Sequence, residues 1–344
     1  MEPDDAPSFR LRLSFWIILG AFSVFFAEVV SGSDMFPYFH LWGIIGIFPL
    51  YVLHSLVLSS LVFNYGKPRF SPLYLAGVIF GLYEAYITKV LWNPYWGEPF
   101  FMFGGIAVIE TIILLLVWHS IMAFVIPLFI CENLLTGSRQ LVNGLPERIR
   151  RVLSSGKNIK ILLIAMAIVF GMLQSSNSTG TLVSMSSGLC TISVLVILVY
   201  LWRSRTGGRA YSMKSLLPNI RELRILLVLL ILLYLWMGSM IRMEALPGLQ
   251  PQAAVWLLYV VFFFLLFTSL RKSAKLPLQD RYEAPVGFSW KWTLLLAIVF
   301  TFTSAIISPN RVVAGTILLL TWFGMGFLGI FLPAIAINDT FRKS

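Results

Sequence analysis

The sequence predicts an all-α polytopic transmembrane helical bundle of about ten spans with both termini cytoplasmic. Three observations carry that prediction. First, 58% of the 344 residues are hydrophobic and only 12% are charged, at a mean hydropathy of +0.85. Soluble domains hold about 25% charged residues. With half of that the chain cannot cover a water-facing surface, and lipid must be its main solvent. Second, apolar runs near the length that crosses a bilayer recur at 13–32, 40–63, 72–92, 104–131, 160–175, 181–202, 223–241, 253–270, 291–308 and 312–337. Third, with a cytoplasmic N-terminus 23 of the 26 Lys and Arg residues fall on the inner side, and only Lys89, Arg242 and Arg311 lie outside. Dropping any one span would throw later basic loops outward, so the positive-inside rule supports both the number and the orientation.

Each element follows in order. Arg10 and Arg12 precede the first apolar run. That run is longer than the roughly 7–15 residue apolar core of a cleaved signal, so it reads as an uncleaved first span. The fourth run is long and contains Pro127, which predicts a kink or tilt. Gly77 and Gly81 in the third run form a GxxxG step that lets another helix approach closely. The stretch 133–159 separates a polar-studded four-span front, 1–132, from an apolar six-span back, 160–344. Within it, Leu145, Ile149, Val152 and Leu153 recur at helical spacing, and Pro146 suits a helix start. They read either as a short basic helix lying on the inner leaflet or as a solvated turn. The outer loop 92–103, rich in Trp, Tyr, Phe and Pro, reads either as an aromatic interfacial belt or as a lid.

The net charge of +11 does not point to nucleic acid, because the positives sit in short loops between apolar runs and no basic domain of motif length exists. The expected partner is the bilayer itself, through anionic inner-leaflet lipids, with a membrane-protein partner and a small-molecule or ion ligand as further expectations. Cys131 and Cys190 both lie in apolar runs, show no metal-ligand spacing and read as small hydrophobes. No phosphate-binding loop, GxSxG elbow, HExxH or haem motif occurs, so cofactor and metal stay unknown.

Ionisable groups in hydrocarbon are costly, and each is a site hypothesis by default. They are Glu28, His54, Glu84, Lys89, Glu110 and His119, all in the first four runs, with Asp34 and His40 at the outer boundary. Helix rise sets their depth. Glu84 comes out roughly 12 Å, Glu110 roughly 9 Å and Glu28 roughly 6 Å below the outer boundary, forming one carboxyl layer. His54 and His119 come out roughly 21–22 Å below it, forming an inner layer. Glu84 shares the Gly77–Gly81 face, so it should face a packed neighbour. The spacing predicts that Glu84 and Glu110 meet across consecutive spans, sharing a proton or holding a cation, with Lys89 either snorkelling outward or turning in as counter-charge. Each group also has a plainer reading. Glu28 can reach water at a helix end, and the histidines can be neutral hydrogen-bonding residues between helices.

Three stretches carry a resemblance. They are Ala27-Glu28-Val29-Val30-Ser31-Gly32-Ser33; then Gly81-Leu82-Tyr83-Glu84-Ala85 on to Lys89 and Trp92-Asn93-Pro94; then His119-Ser120 on to Pro127 and Glu132. Over residues of about 20–135 the chain resembles a family of uncharacterised prokaryotic polytopic membrane proteins, which brings no activity with it. It also resembles, in degenerate form, the CAAX-processing intramembrane proteases. Glu84, Ala85 and Lys89 occupy the positions of that superfamily's Glu-Glu-x-x-x-Arg motif, and His119 that of its next-helix histidine. The second Glu and a later His-x-x-x-Asn are absent. The resemblance implies Glu84 and His119 as catalytic candidates that activate water. Three function classes follow: a transporter or small-ligand handler using the outer carboxyls, an intramembrane enzyme using Glu84 and His119, and a membrane scaffold or assembly subunit.

Overall fold

The computed structural model describes residues 6–154, 156–277 and 290–342. Ten long helices dominate it: α1 Phe9–Val29, α2 Gly43–Tyr65, α3 Phe70–Thr88, α4 Val108–Leu135, α5 Gly156–Asn177, α6 Thr181–Thr206, α7 Ile220–Met240, α8 Leu249–Lys275, α9 Trp290–Ile307 and α10 Arg311–Phe341. Among the described residues nine are long and apolar enough to cross a membrane, and the apolar part of α9, Lys291–Ile307, is shorter. Each predicted run coincides with one of these helices, so the all-α polytopic reading holds. Of the basic residues that set the orientation, Arg281 and Lys343 lie outside the described residues.

The helix ends follow local chemistry. The Ser8 hydroxyl accepts from Leu11 N at the start of α1. Asn219 and Glu222 close a capping box on α7, satisfying backbone donors that the first turn leaves open. The helix Glu147–Ser154 begins directly after Pro146, whose carbonyl accepts from Ile149 N and Arg150 N. Arg151 and Arg150 beside Glu147 hold its carboxyl below the usual carboxylate range.

Two features depart from the sequence expectation. The fourth span does not begin at residue 104. Met102–Phe103 pairs antiparallel with Ile106–Ala107, and Gly104 (φ 57°) and Gly105 (φ 77°) make the two-residue turn between them. Both turn positions need positive φ, which glycine supplies without strain. Nor does Pro127 simply kink the helix. The stretch before it, Leu114–Val125, is wound as a π-helix. Pro127 donates no backbone bond and its ring displaces the carbonyl one turn back, so wider winding accommodates it.

The chain packs as two compact units. One comprises Met1–Val52, Ile126–Leu217 and Leu278–Trp322; the other comprises Leu53–Val125, Pro218–Pro277 and Phe323–Ser344. In the second unit α3 is the centre and is buried along most of its length. A Cβ on Gly77 would lie 2.6 Å from Ser120 O, and one on Gly81 would lie 3.0 Å from Leu115 Cα. The predicted GxxxG face therefore docks against α4, backbone to backbone. In the first unit α9 packs on α5 and α6. Gly171 of α5 meets the Phe300 carbonyl, and Gly188 of α6 meets the Thr301 hydroxyl. Along α10, Val312, Leu320, Phe323, Phe327 and Ile330 are exposed, as a lipid-facing helix requires.

Candidate functional site

The second unit brings Glu84 and His119 together. His119 Nε2 lies 3.0 Å from Glu84 Oε2, with the imidazole 5% and the carboxyl 13% exposed. The close approach of α3 and α4 allows this, because Gly81 removes the side chain that would otherwise hold His119 Cβ away. His119 sits within the π-wound stretch, and its Nδ1 lies 3.0 Å from the Leu114 carbonyl, five residues back. A carbonyl oxygen only accepts, so Nδ1 carries a hydrogen. In a neutral imidazole Nε2 is then a bare lone pair. A bare nitrogen cannot sit 3.0 Å from a bare carboxylate oxygen. One proton must therefore lie between Nε2 and Oε2, on Glu84 as a carboxylic acid or on His119 as an imidazolium.

Aromatic residues of α2, α3, α7 and α8 pack beside neighbours of the pair, with Phe80 in contact with His119. Phe80, one turn before Glu84, is fully buried. On one face it stacks on His54 at 4.6 Å and 10° between planes, and it meets His119 at 6.0 Å. His54 is itself fully buried and lies 5.8 Å from the Tyr83 ring. Tyr83 and Tyr86 of α3 pack against Tyr234 of α7 and Tyr259 of α8 with centroids 5.2–6.4 Å apart. The surroundings are thus phenol-rich and poor in charge. Phe80 and the tyrosine cluster were not predicted. Their signal was present as Phe80, Tyr83 and Tyr86 at helical spacing around Glu84, but aromatic residues in a span look like ordinary packing.

The predicted meeting of Glu84 with Glu110 does not occur. Glu110 is fully buried, and its Oε1 accepts from Phe100 N at 3.1 Å, while Oε2 has no hydrogen-bond partner among the described residues. The depth arithmetic fails because 104–107 is hairpin rather than helix. Glu110 is therefore in the first turn of α4, nine residues before His119, the residue that Glu84 reaches. The expected carboxyl layer and histidine layer instead meet through Glu84 and His119.

Lys89 neither snorkels outward nor pairs with a carboxylate of the site. It is 1% exposed, adopts φ 59° at the end of α3, and its Nζ donates to the carbonyls of Gly238 at 2.6 Å and Ile241 at 2.5 Å. It thus neutralises the open carbonyls at the C-terminus of α7, where a cation is favoured.

The loop after Lys89 has features of both predicted readings. Tyr95, Trp96, Phe100 and Phe103 are exposed, as in an interfacial belt. Its backbone is tied to Glu110 through Phe100 N. Arg242 lies 4.3 Å over the Tyr95 ring and donates to the Asn93 carbonyl at 2.6 Å. A recess of about 650 Å³ is lined there by Trp92, Asn93, Tyr95, Glu98, Met102 and Arg242, among others.

In the first unit, Glu28 lies in the π-wound turn Phe25–Val29 and accepts from the Tyr51 and Ser33 hydroxyls. Asp34 and His40 pair at 2.7 Å. Glu132 is buried and accepts from Leu141 N at 2.9 Å, capping the short helix Gln140–Gly144. Among the described residues no group of three or more His, Cys, Asp or Glu side chains could hold a metal ion.

Fold and site together define a multi-pass α-helical membrane protein with a buried carboxylate–imidazole pair. The profile of an uncharacterized membrane protein family matches residues 17–343. The chain belongs to that family, and the match extends well beyond the stretch of about 20–135 on which the sequence resemblance rested. A relative from Archaeoglobus fulgidus, described as an uncharacterized protein, is 36% identical over 256 residues, covering 74% of this chain and 78% of its own. No solved structure matches the chain.

Proposed function

We propose that the protein is a proton-linked handler of a small solute in the cell membrane, a transporter in the simplest case, with Glu84 and His119 as its proton-bearing site. One observation carries this reading. The Leu114 carbonyl commits Nδ1 of His119 as a donor, so Nε2 and the Glu84 carboxyl share one proton. A pair that can pass between a neutral acid–imidazole state and a carboxylate–imidazolium state suits proton coupling in a low-dielectric interior. Glu110 ties down the outer loop in this reading, and Glu28 holds the outer end of α1 through Tyr51 and Ser33. Phe80, stacked on His54, meets the His119 imidazole on one side. Purified protein in vesicles containing a pH-sensitive dye tests the proposal. A panel of small metabolites and cations should include solutes that drive proton movement, and Glu84→Gln and His119→Gln should both abolish it. Proton movement that persists in either variant would sink the reading.

The same two residues favour a second reading, an intramembrane hydrolase. They occupy the positions that the CAAX-protease resemblance marks for water activation. Glu84 would then take a proton from water, and His119 would steady the developing charge. Cleavage of a membrane-embedded reporter peptide, lost in Glu84→Gln, would favour this reading over transport.

A further inference from the structure

In the second unit the outer ends of α3 and α7 cap each other through exchanged cations. Lys89, just past α3, donates to the last carbonyls of α7. Arg242, two residues past α7, donates through Nη1 to the Asn93 carbonyl at 2.6 Å and reaches the Thr88 carbonyl of α3 at 3.5 Å. Both residues adopt positive φ, 59° for Lys89 and 46° for Arg242. That conformation is uncommon for a long side chain, so each cation offsets a backbone cost at its position.

The Arg242 guanidinium also lines the recess of about 650 Å³ at this end of the unit. Nη1 is committed to carbonyls, and the Tyr95 ring covers one face at 4.3 Å. The opposite edge, Nε with Nη2, makes no hydrogen bond among the described residues, and the exposed Glu244 carboxylate stands off from Nε at 4.0 Å. Nε and Nη2 donate side by side, the fork that takes a carboxylate through two parallel bonds. Glu98 lines the same recess and has neither a hydrogen bond nor an ion pair among the described residues. A cation and an anion thus line one recess without pairing. The remaining walls are apolar. Trp92 is buried and anchored by its Nε1 bond to the Pro251 carbonyl at 3.3 Å. Tyr95 and Met102 are exposed, and the hairpin that replaces the top of the fourth span holds Met102 opposite Ala107.

The volume falls within the range of small-molecule sites, roughly 300–1,000 Å³, and apolar walls with a few polar groups are their usual lining. The charges select the guest. A plain anion would gain Arg242 but be repelled by Glu98 and Glu244; a plain cation would gain Glu98 but be repelled by Arg242. A zwitterion engages both groups. We infer that the recess binds a small zwitterion, with its carboxylate on the Nε–Nη2 edge of Arg242, its ammonium at Glu98 and an apolar part against Trp92, Tyr95 and Met102. That is the chemistry of an amino acid or a short peptide. The recess lies at the outer end of the helix that carries Glu84, whose carbonyl accepts from the Thr88 hydroxyl one turn on at 3.1 Å. It shares no residue with the Glu84–His119 pair and does not rest on the proposed proton coupling.

Equilibrium dialysis of the full-length protein in detergent, with no proton gradient, tests the site. Radiolabelled phenylalanine, leucine and glycylphenylalanine serve as zwitterionic probes of different length, while phenylacetate and phenethylamine keep the ring and lose one charged end. At least one zwitterion should bind saturably, and both truncated probes should bind about tenfold more weakly than it does. Glu98→Gln should weaken the zwitterion about tenfold and leave phenylacetate unchanged or tighter. Arg242→Lys, which keeps the charge without the fork, should abolish zwitterion binding; if that variant does not fold, Glu98→Gln and the truncated probes decide. No saturable binding of any zwitterion, a truncated probe binding as tightly as the best zwitterion, or wild-type affinity in Glu98→Gln would overturn the site, and would leave the Glu84–His119 reading to its own tests.

Discussion

Polar groups inside the two units are satisfied to different degrees. In the unit built around α3, ionisable groups have partners: Glu84 has His119, Lys89 has the last carbonyls of α7, and one oxygen of Glu110 has the Phe100 amide. In the unit built around α9, neutral groups are left open: Gln174 Oε1, Thr301, Ser304 and Ser308. A charge that stays unmatched in low dielectric costs far more than an unmatched hydroxyl. Charged groups are therefore given partners, whereas neutral hydroxyls and an amide oxygen can stay open at smaller cost. This difference explains why the charged unit advertises itself in the sequence and the neutral one does not.

Four substitutions break or sharpen the contrast. The largest effect belongs to Glu84→Gln, which keeps a hydrogen bond to Nε2 but cannot give up a proton. Solute-driven proton flux in vesicles should vanish while the protein still purifies and unfolds as before. Gly77→Ala comes next. The added Cβ meets the Ser120 carbonyl at 2.6 Å and its Cα at 2.7 Å, so α3 and α4 must separate, at a cost of about 3 kcal/mol in detergent unfolding. Lys89→Met removes two charge-assisted bonds to the end of α7 and leaves those carbonyls open; it should cost about 2 kcal/mol by the same assay. The smallest effect is Ser304→Ala. Deleting a buried hydroxyl that has no partner should change stability by less than about 0.5 kcal/mol in either direction. A large loss there would show that the hydroxyl is already bonded.

Much of this was legible beforehand. Hydropathy and the distribution of Lys and Arg located the helices, because lipid imposes span length and the inner leaflet imposes charge placement. Gly77, Gly81 and Glu84 together announced the α3–α4 contact. The partner of Glu84 was misassigned, since Gly104 and Gly105 were read as the top of a helix. Two adjacent glycines flanked by apolar residues are also a hairpin signature, and in a lipid-facing chain both readings have the same hydropathy. The π-winding around His119 has no simple sequence signal beyond Pro127. The open neutral groups were invisible for another reason. Ser and Thr in a span usually bond back to their own helix, so Thr301, Ser304 and Ser308 stand out only once their hydroxyls are found without a partner.

The central claim, one proton shared between Glu84 and His119, is most directly tested by infrared difference spectroscopy of the purified protein across pH. The account predicts a carboxyl band, acid or carboxylate, that is missing in Glu84→Gln and changes frequency in His119→Gln. A Glu84 band left unmoved by His119→Gln would contradict it.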